Sequence, residues 1–316
     1  MGHKALVPIV LGHNAFFGVD HLSASRGAAK AVSFADPDRI LGMIETAREH
    51  GVQGMMMSTH DRAAPLCSVI KQKSDLAQDM IFYPLLPYIQ KYVTRANEVG
   101  MANVVFESLK GSTLSERLSF LWKGTKGVVA KDVDSILGAL MQLELTPFKG
   151  LRLGAVFLHD ALTDLALALG LREIFEFYIE EIDRRYDSTG AFATKNLPTL
   201  IARFAEWGLP APVVMTHFNK TGFSMNPSRE LCEAAVENND VHVMAMSTLA
   251  SGYLTPAEAY EYLARFDNIE SVVVGVSSPA HAAETFAELK KRKWGADASN
   301  ASLAAEAVRA VEGARP

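Results

Sequence analysis

The chain has 316 residues, 49% hydrophobic and 21% charged, and a formal net charge of −5. This balance has no basic stripe for nucleic acid, and no polybasic run directs it to an anionic membrane. No apolar run reaches the roughly 18 residues of a membrane span, and MGHKALVPIV lacks signal-peptide architecture, so a cytoplasmic protein is expected.

Short apolar runs alternate with longer amphipathic stretches, the pattern of a parallel sheet with crossover helices. Leu6–Gly12 predicts the first strand, followed by the turn-rich HNAFFGVDHLSAS. Asp36–His50 predicts a helix, with Asp36 as cap, Pro37 in the first turn and Ile40, Met43, Ile44 and Ala47 on one face. Val52–Thr59 is the second strand, Pro65–Gln78 its helix and Met80–Leu86 the third strand. Ile89–Ala130 breaks the rhythm and reads as a mostly helical insertion over the barrel, with Asn103–Ser108 as a rival strand. Regular pairs then resume. Helix Lys131–Leu143 precedes strand Gly154–Leu158 and helix Leu171–Tyr186. Strand Gly190–Thr194 precedes helix Leu197–Trp207, and strand Val213–Thr216 precedes helix Pro227–Asn238. The last two pairs are Val241–Met246 with Pro256–Phe266, and Ser271–Val276 with Pro279–Arg292. A terminal helix is expected over Ala301–Gly313. Cys67 and Cys232 fall in helical patterns and read as free, buried thiols rather than a disulfide framework.

Eight strand–helix pairs without a linker predict one α/β domain over residues 1–316, a (β/α)8 TIM barrel with a helical insertion after strand 3. In that fold the site forms on loops after the strands. The polar residues there are His13, Asn14, Asp20 and His21, then His60 and Asp61, then Tyr88, then His159 and Asp160. Lys195, Asn196, His217, Asn219, Lys220, Ser247, Ser277 and Ser278 follow. Strand alternation puts Met56, Ser58 and His60 on one face, and likewise Phe157 with His159 and Met215 with His217.

Imidazoles converging on one mouth suit a divalent metal such as zinc or iron, so His13, His60, His159 and His217 form a candidate ligand set. Asp61 or Asp160 would ligate or orient a histidine. No HxH, HExxH or CxxC spacing supports the set, and rim histidines commonly serve only as hydrogen-bonding residues. Without metal, His159 and His60, with Lys195 and Asp61, would serve acid–base catalysis. Met55–Met57 reads as core packing rather than a soft-metal site. Phe16 and Phe17 read either as a substrate-facing wall or as packing.

Two segments suit a phosphate. They are Ser247–Gly252, with Ser247, Leu249 and Ser251, and the strand-to-helix turn with Gly275, Ser277 and Ser278. Capping of the helix by Ser277 or Ser278 is the plainer alternative.

These segments also carry a family resemblance. VMAMSTLASGYL resembles the AYSPLASG strand and loop of the aldo-keto reductases, and SVVVGVSSPAHAAETFAEL resembles their IPGASSPEHLEENL segment. VVMTHFNKTGF, TGAFATKNLPTLIARFAEWG and the stretch ending GAVFLHD are similar to further segments of that family, chiefly between Lys131 and Leu289. The resemblance implies the barrel and NADPH-dependent carbonyl reduction by an Asp, Tyr, Lys and His tetrad. Only the histidine carries over, as His159. The second strand, GMMMSTHDRAA, lacks the aspartate and tyrosine, and FYPLLPY lacks the lysine. At the nicotinamide positions stand Thr194, Lys195, Met215 and Met246.

Three functions therefore stand open. The first is metal-assisted or acid–base lyase, isomerase or hydrolase chemistry on a small oxygenated or carbonyl substrate. The second is an NADP-dependent oxidoreductase with His60 or Tyr88 as replacement proton donor. The third is a non-catalytic ligand-binding barrel.

Overall fold

The computed structural model describes residues 6–19, 23–88 and 130–296. The expected insertion at 89–130, the terminal helix at 301–313, and Asp20 and His21 therefore fall outside the described residues, apart from Ala130 itself.

Nine strand segments make one parallel sheet. They are β1 (Ile9–Gly12), β2 (Gly54–Ser58), β3 (Ile81–Leu86), β4 (Arg152–Leu153), β5 (Ala155–Leu158), β6 (Thr189–Thr194), β7 (Val213–His217), β8 (His242–Met246) and β9 (Ile269–Val274). The order runs β2-β1-β9-β8-β7-β6-β5-β3, and pairing of β2 with β3 closes it. β4 and β5 are two parts of one stave. Both pair with β3, with the register interrupted at Gly154 between them. The result is a closed eight-stave (β/α)8 barrel.

Period-two alternation divides the apolar residues into two cores. Val10, Met56, Tyr83, Phe157, Ala191, Ala193, Met215 and Met244 belong to one cluster, the barrel interior. Leu11, Met55, Met57, Phe82, Val156, Phe192, Val214 and Val243 belong to the other, packed under the helices. The methionine run is core on both faces: Met55, Met56 and Met57 are all buried. Tyr83 closes the interior on the side away from the strand ends, its hydroxyl accepting a 3.0 Å hydrogen bond from the Val7 amide.

The helix signals act as read. Asp36 accepts from the Asp38 amide with Pro37 in the first turn, and Thr255 and Glu258 form a capping box at Pro256–Leu263. Cys67 and Cys232 are free and buried, and burial pushes the Cys67 thiol up to about 12. Three helical features differ from expectation. The predicted Pro65–Gln78 helix breaks at Lys73 into Ala63–Gln72 and Ser74–Asp79. Arg48 of the preceding helix holds the second piece by bridging Asp75 and Asp79 at 3.0 and 2.8 Å. Helix Ala24–Ser33 begins inside the stretch read as turns, capped by Ser23. A further helix, Asp160–Leu169, starts directly after β5.

Candidate active site

Met56, Phe157 and Met215 face the barrel interior. Alternation carries that inward face to Ser58 at the end of β2 and His60 beyond it, to His159 beyond β5, and to His217 at the end of β7. The rim polar residues fall into three groups.

The first group is a series of rings. His13 lies 5.0 Å from Phe17, Phe17 stacks on His60 at 5.1 Å, and His60 meets Tyr88 edge-on at 4.6 Å. Phe17 therefore belongs to the mouth, whereas Phe16 packs on Phe34 in the core. The His60 Nδ1 accepts a 3.0 Å hydrogen bond from the Arg62 amide, where helix Ala63–Gln72 begins. A ring nitrogen that accepts carries no proton, so the Nε2 of His60 holds it. Burial, and then the charge of Asp61, raise the Tyr88 phenol, so it stays protonated at neutral pH. Asp61 itself is exposed.

Arg62 was not legible as functional, yet it builds this side of the mouth. Its guanidinium donates to the carbonyls of Phe16, Phe34 and Ala31 at 3.0–3.2 Å, tying the first loop and helix Ala24–Ser33 to the end of β2. An Arg62→Ala variant is expected to lose at least the 1.5–3 kcal/mol or so of one charge-assisted hydrogen bond, read as a lower urea midpoint. Arg62→Lys should recover only part of this, because one ammonium lacks the planar fork. Thr59 is a second unforeseen support. It accepts from the Tyr88 amide at 3.1 Å and donates to the buried Glu144 carboxylate, fixing the turn after β3.

The second group joins the ends of β5 and β6. The His159 Nδ1 stands 2.6 Å from Asp160 Oδ1, and Asp160 Oδ2 lies 3.3 Å from the Lys195 ammonium. Burial opposes the charge on Asp160, but the hydrogen bond and charge of His159, with the charge of Lys195, overcome it and hold the carboxyl well below the usual range. The same Nδ1 accepts a 3.2 Å hydrogen bond from the Ala161 amide, which makes His159 the N-cap of helix Asp160–Leu169. The Ala161 amide also donates to Asp160 Oδ1, at 3.0 Å. One turn on, Asp164 accepts from the Thr194 hydroxyl at 2.5 Å and the Lys195 amide at 3.1 Å, which locks the end of β6. Burial raises the Asp164 carboxyl, partly offset by those hydrogen bonds. The signal for Asp164 was its i+4 spacing from Asp160, which puts both on one helix face.

The third group is His217 with Ser247, whose Nδ1 and Oγ are 2.9 Å apart. Ser247 has φ 54°, and Ala250 and Ser251 follow at φ 46° and 60°. Non-glycine residues held there store strain, a feature that concentrates at functional loops. Asn219, by contrast, organises its own loop through Thr221 and Phe223.

The expected metal set does not assemble. Among the described residues, no three histidine, cysteine, aspartate or glutamate side chains come together as a ligand group. The physical reason is the grouping itself: His60 is engaged by the Arg62 amide, His159 by Asp160, and His217 by Ser247.

Of the two expected phosphate segments, the first turns most of its amides onto its own carbonyls. The amides of Ala250, Gly252, Tyr253 and Leu254 donate to carbonyls of Ser247, Leu249, Ala250 and Leu249 within the loop. Leu249 is half-buried and Ser251 exposed. Ser278 caps helix Pro279–Lys290 by accepting from the His281 amide at 3.3 Å, while Gly275 and Ser277 are exposed. The first turn of that helix carries His281 but no lysine or arginine.

Among solved structures, the chain is similar over 89% of its length to a protein of Pseudomonas aeruginosa assigned as an aldo-keto reductase, with TM-score 0.56, 12% identity and 88% of that chain covered. It is similar to the holo form of an aldo-keto reductase from Bacillus halodurans, with TM-score 0.53, 11% identity and 91% of each chain covered. It is also similar to the aldose reductase of Giardia lamblia, with TM-score 0.51, 10% identity, and 95% and 92% of the two chains covered. The chain has the aldo-keto reductase fold. No protein-family model and no curated protein matches it. Among the described residues, no helix is long and apolar enough to cross a membrane.

Proposed function

We propose that this aldo-keto-reductase-like barrel is an enzyme for a small oxygenated or carbonyl substrate, acting by acid–base chemistry at the C-terminal ends of its strands. The observation that carries this reading is the His159–Asp160–Lys195 array. The half-buried Asp160 carboxylate and the Ala161 amide hold the imidazole at Nδ1 and leave Nε2 for proton transfer at the mouth. Lys195, with a side chain 56% exposed, neutralises Asp160 and stands where it would meet an anionic substrate group. His60 and Tyr88, both protonated, supply donors across the mouth. His13, His217 and Ser247 line the rim, and Asp61 acts at a distance on Tyr88. Metal assistance has no ligand group to support it among the described residues.

NADP-dependent carbonyl reduction is the second reading, supported by the fold. Bound NADPH would supply hydride, while this chain would orient the carbonyl and protonate the resulting alkoxide from His60 or Tyr88. A fluorescence titration with NADPH separates the two readings. The acid–base reading expects no quenching up to millimolar cofactor. Saturable binding would overturn the cofactor-free reading in favour of the reductase.

A further inference from the structure

The His159 array makes no use of the ends of β7 and β8, where a strained serine meets a histidine. We propose that Ser247 and His217 are a nucleophile and its base, and that they cleave small carboxylic esters through an acyl-serine. This is a second activity at the same rim. It goes beyond the acid–base reading because it uses none of the residues of the His159 array.

The pair is set by strand register. His217 is the last residue of β7 and stands opposite Met246, the last of β8. The Phe218 amide donates to the Met246 carbonyl at 3.1 Å, and the Thr216 hydroxyl donates to the Thr194 carbonyl at 3.0 Å. The base therefore sits on backbone held on both sides of it. Met244 and Met246 pack on the barrel interior, so simple alternation would turn Ser247 away from it. The left-handed turn at Ser247, φ 54°, breaks that alternation, and its Oγ stands 2.9 Å from His217 Nδ1. Glycine would take this conformation without strain. A serine kept there, in contact with an imidazole, has the arrangement of a nucleophile presented on a sharp turn after a strand. Strain alone does not single it out. Ser224 is held at φ 59° and has no histidine contact among the described residues.

The next amide in the chain adds a donor. Ala250, Gly252, Tyr253 and Leu254 direct their amides onto loop carbonyls, whereas among the described residues the Thr248 amide donates to no carbonyl. For a serine presented in this way, the amide of the following residue serves the oxyanion. Ser247 and His217 are half-buried at the rim, above an interior filled by Met215 and Met244, so the acyl group they take is small.

The reaction balances with water as co-reactant. Oγ bonds to the acyl carbon as its proton passes to His217 Nδ1, and the carbonyl pair moves onto oxygen, where the Thr248 amide donates to it. When that pair returns, the bond from carbon to the alkoxy oxygen breaks, and the leaving oxygen takes the proton from Nδ1. Water then gives a proton to Nδ1 as its oxygen bonds to the acyl carbon, and Oγ leaves with that proton. The products are a carboxylic acid and an alcohol. Nothing is oxidised or reduced.

The test treats the full chain with diisopropyl fluorophosphate and locates the label by peptide mass spectrometry. Hydrolysis of p-nitrophenyl acetate is followed in parallel. The expected result is one label, on Ser247, forming faster as rising pH takes the proton from imidazole. Ser247→Gly, which suits φ 54°, should remove the label and the hydrolysis without lowering the urea midpoint. His217→Gln should slow labelling at least about 100-fold and flatten its pH profile. Ser224→Ala should label as the native chain does. A label at another residue or at none, labelling that His217→Gln leaves unchanged, or hydrolysis that survives in Ser247→Gly would each overturn the dyad. None of these outcomes touches the acid–base reading, which stands on His159, Asp160 and Lys195.

Discussion

His159→Gln is expected to lower turnover of the small oxygenated or carbonyl substrate by about 10²–10⁴-fold, the usual worth of a positioned general acid or base. The urea midpoint should move little, because the glutamine amide can still donate to Asp160. That contrast separates a catalytic imidazole from a structural one. A loss of activity that tracks a loss of stability would sink the assignment. Asp160→Asn gives a second, pH-resolved readout. The carboxyl is held below its ordinary 3.8 in the folded chain, despite burial, by His159 and Lys195. A depressed folded value means that its stabilisation is complete above about pH 4 and disappears as pH falls through the folded value. The native chain should therefore lose stability on acidification from about pH 5 downward. The Asp160→Asn variant should be less stable at pH 7 and lose less between pH 5 and 2. Parallel curves for the two proteins would show that Asp160 does not hold the charge assigned to it.

The barrel was legible because its evidence is distributed. Each strand is a short apolar run, each long helix carries a cap or an apolar face, and no single residue decides the count. The helices that escaped notice had weaker signals. Helix Ala24–Ser33 contains a glycine and two serines, and Val32 is its one large apolar residue, so no apolar stripe marks it and it reads as loop. Helix Asp160–Leu169 follows the strand with no intervening turn residue, so its apolar positions merge with the strand's. At the site, strand alternation puts His60, His159 and His217 on the path of the inward face. What sequence could not supply was the partner of each ring. Four histidines at strand ends suggested one metal, but tautomers and pairings depend on backbone amides and second residues. The Arg62 amide decides the state of His60, and nothing about an arginine at that position announces its N–H as the relevant group. Likewise, STLASG suggested an anion cradle from composition, whereas the folded loop turns most of its amides onto its own carbonyls.

The largest stability effect away from the site is expected at Gly154→Ala. An added Cβ there would stand 2.5 Å from Cε1 of Tyr83 and 2.9 Å from Cγ2 of Ile81. The Tyr83 ring is fully buried in the barrel interior, its hydroxyl held by the Val7 amide, so it has little freedom to retreat. Gly54 meets the same ring from the other side, where a Cβ would come within 3.0 Å of Cε2. Two glycines, one on each stave flanking β3, thus make the slot that lets a tyrosine, rather than an aliphatic residue, fill this end of the barrel. Overpacking typically costs about 1–3 kcal/mol. If the ring is displaced, the Val7 amide also loses its acceptor, adding about 1–3 kcal/mol for an unsatisfied buried donor. Urea denaturation of Gly154→Ala should give a lower midpoint by that combined amount. In the double variant Gly154→Ala with Tyr83→Leu, the clash with the aromatic ring is absent and only the Ile81 contact remains. Its loss should be clearly smaller than the sum of the two single losses, because contacting residues couple. Additive losses would mean that Gly154 is required for the register interruption between β4 and β5, and not for the ring.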